Sequence, residues 1–127
     1  MVVYFYAAVL ALIFVLLSLK VISVRRKKNI ILGNMEDQDL LRANSAHSNF
    51  ASYIPFALFL FLLLELKGAG PLFLHFIGIT LVLSRILHPI SLMYLEPKYN
   101  FLKVRVLSMA LTFIVFIIAA LLLMLLA

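Results

Sequence analysis

Four long apolar runs separated by three short polar breaks set the pattern of this chain. Residues 2–24 are almost wholly apolar and stop at Arg25, Arg26, Lys27 and Lys28. A break through Gly33, Asn34, Glu36, Asp37 and Asp39 follows, and residues 40–66 then read as a second helix. Gly68-Ala69-Gly70-Pro71 marks a tight connection, because proline suits the first turn of the next helix. The third run covers 71–94, Glu96-Pro97-Lys98-Tyr99-Asn100 reads as a turn, and the fourth run covers 101–126. Each run is near or above the ~20 residues that cross ~30 Å of hydrocarbon. The pattern predicts an all-α integral membrane protein, a four-transmembrane-helix bundle occupying 1–127 as a single domain.

Composition strengthens this reading. A chain of 127 residues that is 66% hydrophobic has too much exterior to hide its apolar surface in a soluble fold. The formal charge of +6 changes the picture only through its distribution. Arg25, Arg26, Lys27, Lys28, Lys98, Lys103 and Arg105 flank the first and third loops, whereas the second loop offers only Lys67. Such asymmetry puts loops 1 and 3 in the cytoplasm and both termini on the opposite side. It does not form a nucleic-acid-binding face. The first run lacks a basic leader and is followed by its basic cluster, so it is expected to be a retained helix and not a cleaved signal. Compact loops without a targeting extension suggest a bacterial inner membrane. Without cysteine, disulfides, protein thiolate nucleophiles and Cys-ligated metal sites are excluded, and no metal site is expected.

Polar residues within the runs carry the candidate chemistry. Arg42, Ser45, Asn49, Ser52 and Tyr53 fall within roughly 100° of one helical face. Such groups cost free energy in hydrocarbon unless they meet partners or line a wet cavity. The proposed topology sets Arg85 and His88 of the third helix, and Arg105, Ser108 and Thr112 of the fourth, at a similar depth, with Arg25 at the same boundary. Glu65 belongs near the opposite face, leaving few acids beside the arginines. Arginine forks suit carboxylates and other anions, so a water-soluble anion from the cytoplasm and a lipophilic second reactant from the bilayer are the expected guests. Plainer roles exist for each residue: snorkelling for Arg25 and Arg105, ion pairing for Arg85, interhelical clasping for Asn49, packing for Tyr53. His47 points away from the Arg42–Asn49 face, which argues against haem between His47 and His88. A small multidrug exporter would need an embedded acid that the first helix lacks. Pro55 and Pro89 each remove a backbone donor and allow a kink.

These residues resemble the MAPEG family, membrane-associated proteins in eicosanoid and glutathione metabolism that include microsomal glutathione transferases. The resemblance rests on Val21-Ile22-Ser23-Val24-Arg25-Arg26, Asn49-x-x-Ser52-Tyr53-x-Pro55, Arg85-x-x-His88 and Arg105, in that order over four spans. It implies a homotrimer binding glutathione between subunits on the cytoplasmic side. Arg25, Arg42, Asn49, Ser52, Tyr53, Arg85 and His88 are then ligand-binding positions, with Arg105 the catalytic arginine that favours the thiolate. The implied activity is a glutathione-dependent transferase or peroxidase acting on lipophilic electrophiles or lipid hydroperoxides. Ser45 and Ser52 stand where the family usually carries an arginine and a glutamate, and Leu92 where many members have a tyrosine. Joint loss of that ion pair strands neither charge. It leaves an alternative in which the chain binds another anion, a lipid or a protein partner without glutathione catalysis.

Overall fold

A computed structural model describes residues 1–126 and consists of helices and short connections. We name α1 Val2–Lys28, α2 Gln38–Leu66, α3 Pro71–Tyr99 and α4 Lys103–Leu125; all four are long and apolar enough to cross a membrane. Asp37 caps α2 by accepting from the Leu40 backbone N–H at 2.9 Å. That bond, followed by the Lys28 ammonium 2.9 Å away, holds the Asp37 carboxyl below its ordinary range. Asn29 ends α1 in the left-handed conformation, with its N–H bonded back to the last turn.

Helix α1 packs on α2 and α3, while α4 packs on α3 and α2. Among the described residues the backbones of α1 and α4 do not approach each other, so they occupy opposite corners of the bundle. An apolar core fills the end that holds the termini, with Tyr6, Phe61, Leu64, Leu74, Ile77 and Ala119 among its members. Glu65 lies at this end and accepts from the backbone N–H groups of Val2 and Val3, the exposed donors at the start of α1. This is the placement expected for it, well removed from Arg85. The outer faces carry Phe5, Leu12, Leu16, Phe59, Ile79 and Ile117, as surfaces facing lipid require.

Close approach of α1 and α3 depends on Gly78. A Cβ there would overlap the Tyr6 ring, which is buried and tethered through its hydroxyl to His75 Nδ1 at 3.0 Å. Gly78→Ala is therefore expected to destabilise the bundle by about 1–3 kcal/mol. A lowered thermal unfolding midpoint in detergent would register the effect; an unchanged midpoint would show that the ring moves aside freely.

The third helix departs from expectation. In place of the turn expected at 96–100, the chain stays helical to Tyr99. After Pro89 it widens into a π-helical segment, Ser91–Leu95, before resuming as Glu96–Tyr99. Pro89 has no N–H to offer the Arg85 carbonyl, and the wider turns that follow bond Glu96 N–H to the Ser91 carbonyl, five residues back. Only Asn100, in the left-handed conformation, and its two successors separate α3 from α4.

Candidate functional site

Every buried polar or charged residue among those described lies on α3 or α4: Ser84, Arg85, His88, Ser91, Glu96, Ser108 and Thr112. Hydroxyls make this tolerable, because they can bond to carbonyls of their own helix. Ser84 donates to the Leu81 carbonyl at 2.7 Å and Ser108 to the Arg105 carbonyl at 2.7 Å.

Arg85 is the centre of the cluster, with 1% of its surface exposed. Its Nη1 donates to Asn49 Oδ1 at 2.7 Å and its Nη2 to Thr112 Oγ1 at 2.5 Å. Its Nε reaches Ser84 Oγ at 3.3 Å, and its guanidinium carbon stands 6.0 Å from the Tyr53 ring centroid. Thr112 Oγ1 in turn lies 3.1 Å from Ser84 Oγ and 3.0 Å from the Ser108 carbonyl. Three helices thus meet on one cation. Every partner is neutral, and no carboxylate forms an ion pair with Arg85 among the described residues. A buried charge solvated only by dipoles is electrostatically incomplete.

The arginines nearer the loops have a different environment. Glu96, 8% exposed, puts Oε1 at 3.2 Å from Arg105 Nε and Oε2 at 3.7 Å from Arg42 Nη1. Ser91 donates to the same carboxylate at 3.3 Å, and Arg42 also donates to the Leu92 carbonyl at 3.0 Å. The expectation of few acids beside these arginines is corrected here. The sequence pattern puts Glu96 in a turn, but the π segment carries it inward and sets it over Ser91. Its five-residue spacing from Ser91 is the sequence signal that points to this contact, but only once a π turn is assumed. The remaining terminal nitrogens of Arg105 make no hydrogen bond among the described residues, and its side chain is 38% exposed.

Other expected site residues fall apart in space. The polar stripe on α2 splits along its length: Arg42, Asn49 and Tyr53 turn toward the bundle, while Ser45 and Ser52 are exposed. The Ser45 and Ser52 hydroxyls fold back onto the Leu41 and Ser48 carbonyls, each at 2.8 Å. An arc of roughly 100° is wider than the seam one helix shares with its neighbours, so its edge must face outward. Arg25 does not join the cluster either. Its Nη1 bonds the Gly33 carbonyl at 2.9 Å and ties the first loop to α1. His88 is buried, one turn on from Arg85, and makes no side-chain hydrogen bond among the described residues. His47 faces α1, 3.1 Å from Ser18 Oγ and stacked on Phe14. His75 lies at the far end with Tyr6.

Fold and site together define a four-span membrane protein whose buried and half-buried arginines gather at one end of a helical bundle. The chain belongs to the MAPEG family, whose family model matches residues 3–125. It is similar to Inner membrane protein YecN of Escherichia coli strain K12, with 32% identity over 83 residues, or 65% of this chain and 63% of that protein. The protein of the same name from Escherichia coli O6:H1 strain CFT073 matches to the same extent. The aligned part thus spans somewhat under two thirds of these relatives' length. No solved structure matches the chain. The four spans and this similarity make it a multi-pass integral protein of the inner membrane.

Proposed function

We propose that the chain acts as a membrane-embedded glutathione-dependent transferase or peroxidase on lipophilic electrophiles or lipid hydroperoxides. In this reading it assembles as a homotrimer, with the basic loops and the site facing the cytoplasm. One observation carries the proposal: Arg85 is a buried cation whose protein partners are all neutral. A ligand carboxylate entering beside Asn49, Tyr53 and His88 supplies the missing charge. Glutathione brings a thiol, and its carboxylates and ammonium suit the charges present.

The residues then divide the work. Arg85, ahead of the π segment, and Arg42, against it at the Leu92 carbonyl, attract carboxylates, and Asn49 orients the Arg85 fork through Nη1. Glu96 is the acid available to an ammonium, a role that Ser52 cannot fill. Arg105, half-exposed and with terminal nitrogens to spare, lowers the pKa of a neighbouring thiol and so favours the nucleophilic thiolate. The lipophilic partner approaches along the apolar outer face of α4, where Val106, Met109 and Phe113 border Arg105 in a shallow pocket.

Glu96 also motivates a second reading. It already pairs with both Arg105 and Arg42, so the cations can be satisfied without a ligand. The chain would then hold another anion, a lipid or a protein partner without glutathione chemistry. Calorimetric titration of the lipid-reconstituted protein with glutathione, followed by conjugation of a chromogenic aryl halide, separates the two. Saturable binding with conjugation is expected. Binding that appears only after Ser45→Arg and Ser52→Glu are introduced together would instead establish the second reading.

A further inference from the structure

Helices α1 and α3 meet ring against backbone at Tyr6 and Gly78, but nearer the basic loops a groove lies between them. Its mainly apolar part has a volume of about 480 Å³ and is walled by Ile13, Leu16 and Leu17 of α1 and by Arg85, Ile86, Pro89 and Ile90 of α3. It runs into a polar cavity of about 340 Å³ lined by Lys20, Ser23, Lys27, Lys28, Asp39 and Arg42, with Lys20, Met93 and Tyr94 bordering both. We propose that this groove binds an anionic phospholipid, with an acyl chain along the apolar walls and the phosphate among Lys20, Ser23 and Lys27.

Charge and shape support the same occupant. Four cations and one carboxylate line the polar cavity, and that carboxylate, Asp39, is already 3.2 Å from Lys28. Lys20 and Lys27 form no ion pair among the described residues. Residues 20, 23 and 27 lie within roughly 60° of one another around a helix, so they present one basic stripe to α3. Lys20 starts about 10 Å deeper than Lys27 along the axis. A lysine at that depth snorkels toward the interface, and the Lys20 ammonium stands 5.4 Å from the Tyr94 ring centroid, at the mouth of the groove. Free phosphate would satisfy the lysines but leave the apolar part unfilled; a phospholipid matches both. Basic pockets between membrane helices suit anionic headgroups in this way. The groove adjoins the glutathione reading's residues, since Arg42 lines its polar cavity and Arg85 its apolar part. Lys20, Ser23 and Lys27 take no part in that reading, so variants there test the lipid alone.

Native mass spectrometry of the full chain, released from zwitterionic detergent, tests the assignment with phosphatidylglycerol, phosphatidylcholine and inorganic phosphate as probes. Retention of phosphatidylglycerol is expected to exceed that of phosphatidylcholine roughly tenfold or more. Lys20→Gln combined with Lys27→Gln should remove most of that preference. The single variant Lys27→Gln, at an exposed helix end, should remove part of it even if the double variant assembles poorly. Equal retention of the two lipids, or an unchanged preference in Lys27→Gln, would overturn the proposal. Saturable uptake of inorganic phosphate that is lost in Lys27→Gln, with no lipid retained in the wild type, would also overturn it, by making the cavity a simple anion site.

Discussion

Replacing Arg85 by methionine should weaken glutathione binding about a hundredfold and leave the four helices assembled. The affinity loss follows from removing a desolvated charge-assisted contact, which costs about 2–5 kcal/mol when one partner is truncated. The effect on folding is closer to balance. Asn49 Oδ1 and Thr112 Oγ1 lose their donor, at about 1–3 kcal/mol for each group left unsatisfied. Against this, a cation whose partners are neutral dipoles leaves the membrane interior, and methionine fills much of the vacated space. A companion variant separates charge from packing. Asn49→Asp sets a carboxylate beside Nη1, at the contact that now measures 2.7 Å. This internal counter-ion should hold or raise the thermal midpoint while abolishing anion binding. Undiminished glutathione affinity in Asn49→Asp would remove Arg85 from the ligand site.

Arg105→Ala should reduce conjugation turnover about a hundredfold, a size typical for loss of one charge-stabilising donor, with a much smaller change in affinity. The sign of the accompanying pH effect is fixed by electrostatics. A guanidinium near sulfur favours thiolate and lowers the thiol pKa; its removal raises that pKa, so turnover should recover as pH rises. Glu96 provides an internal comparison. It stands 3.2 Å from Arg105 Nε and offsets part of that charge, so Glu96→Gln should move the pH profile in the opposite direction, toward lower pH. Measurement of turnover against pH for wild type and both variants checks the pair. Equal loss of turnover and affinity in Arg105→Ala, with an unmoved profile, would assign Arg105 to binding alone.

The spans were legible because a membrane leaves the backbone few choices. Polar peptide groups in hydrocarbon must be satisfied within the segment, so a long apolar run becomes a helix. The gathering of Arg42, Asn49, Arg85 and Thr112 at one end was legible too, since helix rise converts position in the run into depth. Glu65 was similarly readable: it lies at the start of α1, capping Val2 and Val3 N–H groups, at the end opposite the arginines. The direction of Arg25 was not legible, because depth alone does not specify direction; within the chain its side chain turns to the Gly33 carbonyl.

By itself, then, the sequence determined that this protein is helical and multi-pass, and which end of the bundle carries the cations. Those properties follow from transfer free energies and helix geometry, which act locally. Tertiary structure alone decided which polar groups meet. The division of the α2 stripe into inward Arg42, Asn49 and Tyr53 and outward Ser45 and Ser52 depends on how the helices pack. The role of Glu96 depends on the π segment that follows Pro89, which changes the angular register of everything beyond it. One altered turn moves a carboxylate from an expected loop to a position between two arginines, and no run of hydropathy records that rotation.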